Sequence, residues 1–449
     1  MIDTAFMNLF PPFDETIEGV GRALRAGETT CLRVLERCLE RIEEWEPTVR
    51  AWVVVDRVGA IAQARMLDEV RAAGTYRSPL HGIPIGIKDI IDVQGVLTAC
   101  GARLWADRVA VADAAVVASL RAAGAVILGK TVTTPYAWID PPATRNPWNL
   151  ERTPGGSSSG SAAAVAAGMC LGAIGTQTGG SITRPASFCG VLGMKPSHGA
   201  INMRGIFPFS PSLDVPGPIA RSVRDLELIF NEIIGSIPDE TPDADAAARP
   251  PCLGRLRGFF DDRAEPAMRQ AFDRAVATLA EAGARFEECP FPRGFEDVHR
   301  RHRVVMASEA AAWHQRRFAA CPDDYPPKMT ALIEEGLATL APDYLHCRQH
   351  QDMLRGTVFE NVAGGAIDAY IVPAAPGPAP DPSTTGDPAF NSPWSYAGLP
   401  TISIPCALAP DGMPLALQLA GRLFEEAELF RVATWCEAVL RRAFLARKD

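Results

Sequence analysis

The chain has 449 residues, 47% hydrophobic and 22% charged, enough apolar material for a large globular core. A formal net charge of -9 argues against a general nucleic-acid binder, because phosphate contacts lean on Lys and Arg. Eleven scattered cysteines without a Cys-x-x-Cys pair, and a start (Met1-Ile2-Asp3-Thr4-Ala5) lacking a basic segment ahead of an apolar one, lead us to expect a cytoplasmic protein with free thiols. The longest small-apolar run, 162–173, is shorter than the roughly 20 residues of a spanning helix, so no membrane association is expected.

In chain order, the first strong pattern is 30–46, where Leu32, Leu35, Cys38, Leu39, Ile42 and Trp45 recur at helical spacing and Pro47 is expected to end the helix. Next comes Gly82-Ile83-Pro84-Ile85-Gly86-Ile87-Lys88-Asp89-Ile90-Ile91, a lysine set in an apolar run. Residues 114–123 read as a helix, Gly124 as its stop and Ala125-Val126-Ile127-Leu128 as a buried strand, the helix–strand unit of an α/β fold. Residues 124–131 also match the P-loop pattern literally. The middle residues are the strand itself and no helix follows, so ATP binding is rejected there.

Residues 236–251 read as an exposed connector. A second helix–strand unit follows at 266–287, with Met268, Phe272, Val276 and Leu279 on one face and Gly283 closing the helix. His299-Arg300-Arg301-His302 is expected to be a solvated helix surface. His346 and His350, an i, i+4 pair without a nearby third ligand, read as an exposed helix face, and no metal or other cofactor is expected. Residues 373–393, rich in Pro, Gly, Ser and Asp, read as a long ordered loop of the kind that lines an active site. A last amphipathic helix covers about 425–445, with Leu429, Val432, Cys436, Val439 and Leu440 inward.

The chemistry concentrates in 154–187. Gly155-Gly156-Ser157-Ser158-Ser159-Gly160-Ser161 and Gly175-Thr176-Gln177-Thr178-Gly179-Gly180-Ser181-Ile182-Thr183-Arg184-Pro185 are Gly/Ser tracts, but their flanks are dense in Ala, Val, Met and Leu. A solvated linker would not have such flanks. Inside a core, paired glycines before a serine let backbone N–H groups turn toward a developing negative charge. A serine needs a base to attack at neutral pH. No Gly-x-Ser-x-Gly elbow surrounds Ser181, so the choice lies between a distant His and Lys88. Burial would lower the Lys88 pKa toward neutrality; the competing reading pairs Lys88 with Asp89 at a strand end.

Taken together these segments resemble the amidase signature family. The match runs through Gly82 to Asp92, Gly124 to Thr131, Arg145 to Gly168, Gly175 to Lys195, Ser210 to Asp225 and Phe390 to Gly421, in the family's order. The resemblance implies one α/β domain over 1–449, a single large mixed, twisted β-sheet covered by helices on both sides. An N-terminal helical region would lie at about 14–70 and a variable pocket-shaping region at about 250–370. It implies Lys88 as base, Ser157 on a cis peptide after Gly156 as bridging serine, and Ser181 as nucleophile. The oxyanion donors would be the N–H groups of Thr178, Gly179, Gly180 and Ser181, and the substrate contacts Ser158, Gln177 and Arg184.

One departure is informative. The commoner family pattern has an acid at 177 and an arginine at 183, whereas this chain has Gln177 and Thr183, with the arginine at Arg184. That variant resembles the malonamidase-like branch, whose shifted arginine faces a substrate carboxylate. The expected activity is hydrolysis of a small amide by a Ser–Ser–Lys acyl-enzyme mechanism. The alternatives are the amidase subunit of a tRNA-dependent amidotransferase, which the Gln177/Arg184 variant disfavours, and a non-catalytic scaffold, which the intact triad disfavours. The partner expected is the amide itself, with no nucleic acid or membrane; a homodimer is left open.

Overall fold

Most strands in the middle of the sequence, such as Pro84–Lys88, Val126–Thr131 and Gly172–Gln177, are apolar or Gly-rich up to a polar end, without the alternation of a half-exposed strand. Such runs belong where helices cover both faces of a sheet. The computed structural model describes residue 9 and residues 15–235, 249–358 and 367–446. Among these, β1 (Trp52–Val55), β2 (Pro84–Lys88), β3 (Val126–Thr131), β4 (Gly172–Gln177), β5 (Leu192–Lys195), β6 (Val215–Ala220), β7 (Cys252–Leu256), β8 (Arg285–Cys289), β9 (Ala369–Pro373), β10 (Thr401–Leu408) and β11 (Pro414–Ala420) form one sheet. The order is β1-β3-β2-β4-β6-β5-β10-β11-β9-β7-β8. β3, β2 and β4 run parallel, as do β9, β7 and β8, while the remaining pairs are antiparallel. The sheet is therefore mixed, as expected. Residues of β2, β3 and β4 are buried throughout, whereas the edge strand β8 turns Arg285, Glu287 and Glu288 to solvent. Charge on an edge strand blocks pairing with another chain.

Three helices precede or flank the first strands: Ile17–Ala26, Cys31–Val49 and Arg57–Ala72. Each is capped by a side chain that accepts a backbone N–H, from Thr16, Thr30 and Asp56 respectively. The second of them does not stop at Pro47. It continues to Val49 and closes through Arg50 (φ 55), whose N–H reaches the Glu46 carbonyl at 3.0 Å. Burial of Trp45 and Val49 holds the last turn against the bond the proline removes.

The other helix–strand expectations hold. Ala115–Ala122 leads through Gly124 (φ 87) into β3, and Pro266–Glu281 leads through Gly283 (φ 110) into β8. The final helix, Glu426–Leu445, buries all five residues read as inward-facing. Most of the 236–251 connector lies outside the described residues. All eleven cysteines are free thiols. No described helix is long and apolar enough to cross a membrane.

Candidate active site

β2 and β4 are parallel neighbours, so their C-terminal ends open at the same edge of the sheet. In open α/β sheets, ligand sites form outside that edge. Lys88 is the last residue of β2 and Gln177 the last of β4. The two Gly/Ser tracts turn back over the same edge. Ser157 precedes the helix Ser159–Ala166 and Ser181 precedes the helix Thr183–Phe188, with the Ser158 N–H joined to the Ser181 carbonyl at 3.2 Å. The Gly156–Ser157 peptide is cis.

Lys88 is fully buried, and its Nζ lies 2.7 Å from Ser157 Oγ and 2.8 Å from Thr176 Oγ1. Burial lowers its pKa from 10.5 to about 7, and only the field of Asp214 opposes the shift. The competing partner is taken: Asp89 pairs with Lys130 at 3.3 Å, both side chains wholly buried, while Lys130 also donates to Thr98 Oγ1 at 2.8 Å. This accounts for the lysine of the literal P-loop match as a structural residue of β3.

Residues 178–181 form one wall of a cavity of about 370 Å³ that also holds Arg184, Trp138, Phe209, His302 and Thr385. Among the described residues, none accepts a hydrogen bond from the N–H groups of Gly179, Gly180 or Ser181. Their carbonyl side is braced. His302 Nε2 lies 3.0 Å from the Thr178 carbonyl, Ser395 Oγ donates to the Gly179 carbonyl at 2.7 Å, and Thr178 Oγ1 donates to Asp214 at 2.5 Å.

Three residues were expected to contact substrate, and the fold treats them differently. Ser158 Oγ is occupied by the backbone of Thr176, at 3.2 Å to both its N–H and its carbonyl. The Gln177 carbonyl oxygen accepts from Ile182 N, Thr183 N and Thr183 Oγ1, and its amide donates to Gly179 O and Ser395 Oγ. Gln177 thus fastens the turn that carries Ser181, and neither it nor Ser158 lines the cavity. Arg184 does line it. This guanidinium is buried and donates to the Gly156 carbonyl at 2.7 Å and to Thr385 Oγ1 at 3.4 Å, while Nε and Nη1 have no partner. Burial lowers its pKa to about 10.

The 373–393 loop supplies Thr384 through Ala389 to the cavity wall. The 299–302 segment requires a correction. Arg300 and Arg301 bind Asp297, but His299 and His302 face the cavity, and burial holds the His302 imidazole neutral, with a pKa of about 4. The helix Val298–Ala320 buries Val298, His302, Val305 and Met306 along one face, and that apolar spacing was the available signal. His350 is likewise not free, since Nδ1 meets Tyr396 OH and Nε2 the Gly294 carbonyl, each at 3.1 Å. His346 remains exposed.

The amidase family's sequence pattern matches residues 33–430. Among curated proteins, a glutamyl-tRNA(Gln) amidotransferase subunit of Roseiflexus castenholzii is 37% identical over 473 residues, spanning 94% of this chain and 95% of that protein. The same-named subunit of Carboxydothermus hydrogenoformans is 32% identical, spanning 91% and 94%. Among solved structures, an amidase superposes with a TM-score of 0.86 at 32% identity, covering 94% of this chain and 99% of that one. The native peptide amidase of Stenotrophomonas maltophilia gives 0.84 at 28% identity, covering 96% and 98%.

Proposed function

We propose that this chain, which belongs to the amidase family, hydrolyses a small amide whose acyl part carries a carboxylate, through an acyl-enzyme on Ser181. Neutral Lys88 takes the proton of Ser157, and Ser157 takes that of Ser181 as its oxygen attacks the amide carbon. The N–H groups of 178–181 receive the oxyanion. Ser157 then protonates the departing amine, and water hydrolyses the ester by the reverse relay.

The observation that carries the substrate class is Arg184. A buried guanidinium with two unpaired donors, in the same cavity as the nucleophile, suits a carboxylate. Such a contact is worth about 1.5–3 kcal/mol. Arg184→Leu should therefore lower kcat/KM by roughly 10- to 200-fold for acidic amides, beyond whatever it costs a neutral amide of equal size. Some loss on both is expected, because Arg184 also holds the Gly156 carbonyl. Ammonia release from both amides, with melting temperature in parallel and inactive Ser181→Ala as control, measures this. Equal losses on the two amides would remove the carboxylate reading.

A second reading is the amidase subunit of an amidotransferase, and overall similarity to the curated relatives supports it. The sequence variant at 177 and 184 points the other way. Both readings share the chemistry of an amide bearing a carboxylate, since free glutamine is one. Gel filtration and ammonia release from glutamine and from dicarboxylic monoamides separate them: a chain active alone on the monoamides supports the first, and one silent until a partner is added supports the second.

A further inference from the structure

The cavity carries a second, unassigned feature at its rim. The Arg263 guanidinium lies 4.6 Å from the Phe259 ring centroid, and the Phe259 and His299 rings are stacked 5.0 Å apart at 24°. Arg263 and His299 both line the cavity that holds Ser181 and Arg184. Arg263 is exposed, and no ion pair among the described residues includes it; the nearby Asp261 is shared by Arg255 and Arg257. His299 Nε2 is buried without a hydrogen-bond partner.

Of the other cations on the wall, Arg303 grips Glu335 at 2.6 Å and lies over Trp138, while Lys328 is exposed and, among the described residues, belongs to no ion pair. Asp387 is the acid of the lining; one of its oxygens accepts the Ala389 N–H at 2.9 Å, and its charge acts on Arg184 and His299 without forming an ion pair with either. The wall therefore stays cationic: Arg184 and His299 Nε2 are buried donors without a full set of partners, and Arg263, beside His299 on the Phe259 ring, and Lys328 reach toward solvent without an ion pair among the described residues.

We propose that Arg263 and His299 form a second anion subsite, so that the preferred substrate is an amide bearing two anionic groups. One carboxylate meets Arg184 and a second carboxylate meets Arg263 and His299. The inference rests on the carboxylate reading of Arg184 and narrows it. Phe259 holds the guanidinium by cation–π contact and the imidazole by stacking, so both donors are positioned before substrate arrives.

The test uses a matched pair, glutaramate with one carboxylate and its analogue with a geminal second carboxylate, against neutral butyramide. The wild-type enzyme should favour the dianion, and should do so less as salt is raised. Arg263→Ala should reduce kcat/KM for the dianion about tenfold or more beyond its effect on glutaramate, chiefly through KM, and Arg263→Lys should restore part of the loss. Equal effects on the two anions, or no wild-type preference for the dianion over glutaramate, would overturn the second subsite while leaving the Arg184 reading standing. Butyramide turned over as well as glutaramate would instead overturn the Arg184 reading and this inference with it.

Discussion

Two lysines on adjacent strands show how a single partner decides what burial does to a pKa. Lys88 and Lys130 stand one register step apart across β2 and β3, and both are wholly buried. Lys130 has the Asp89 carboxylate at 3.3 Å, which opposes the downward pull of burial. The nearest polar groups of Lys88 are hydroxyls, so burial wins and its pKa falls to about 7. A lysine in that range is a usable base near neutral pH. The kcat/KM of a neutral amide should therefore rise tenfold per pH unit below about 7 and level off above it. Lys88→Ala should abolish that limb along with most of the activity. A flat profile across that range would mean that another group accepts the proton. At this scale the sequence singled out, from local tracts, Lys88, Ser157 and Ser181, whose segments the fold brings to one edge of the sheet. Arg263 and His299 lie in segments with no such local pattern; apolar spacing marked His302 as inward-facing, but only the folding of Val298–Ala320 against the 178–181 turn sets its partner, the Thr178 carbonyl.

At the scale of elements, the active edge depends on how closely the helix Ser159–Ala166 settles onto the sheet. Its second residue is Gly160, whose N–H bonds to the Val132 carbonyl at 2.9 Å. A Cβ there would stand 2.2 Å from the Ala51 carbonyl oxygen and 2.4 Å from the Val132 nitrogen, both backbone atoms that cannot rotate away. Gly160→Ala should thus lift the helix, costing about 1–3 kcal/mol of stability. Because Ser157 sits just ahead of this helix, kcat should fall more steeply than the melting temperature suggests. Denaturant unfolding combined with kcat settles it, and a variant of wild-type stability and rate would show that the contact relaxes freely. The sequence disclosed this helix as an Ala-rich run but gave no reason for its glycine, because a close approach between segments distant along the chain leaves no periodic trace. The Pro47 expectation failed for a related reason: tertiary burial of Trp45 and Val49 overrode a local rule.

Over the whole molecule, the helix–strand units at 114–128 and 266–287 made the α/β class readable from the residues, the single mixed sheet covered on both sides was readable only through resemblance, and the strand order was not readable at all. One consequence of so large a core is a set of buried ionisable groups whose fields are weakly compensated. Lys88 and Lys195 both fall to about 7 through burial. Asp214 and Asp225 rise to about 6 and Glu437 to about 7, again through burial. For the acids, the folded pKa exceeds the unfolded one, so their contribution to stability is present at low pH and is lost as pH rises through 6 to 7. For the lysines, the folded pKa lies below the unfolded 10.5, so their contribution is present above that value and is lost as pH falls toward 7. Both sets therefore weaken the fold most near neutrality. Lys195 offers the clean test, since it is wholly buried, lies outside the cavity, and its Nζ donates only to the Pro196 carbonyl at 2.8 Å. Lys195→Met removes the titrating group at the loss of that bond, worth about 1 kcal/mol. Relative to wild type, the variant should gain stability near pH 7 and lose the advantage steadily toward pH 10, by up to about 1.4 kcal/mol per pH unit. Urea unfolding of both proteins at several pH values measures the difference directly. An offset that stays constant from neutral to alkaline pH would mean that Lys195 keeps its ordinary pKa in the folded state, and that burial at this position is compensated by charge rather than by loss of a proton.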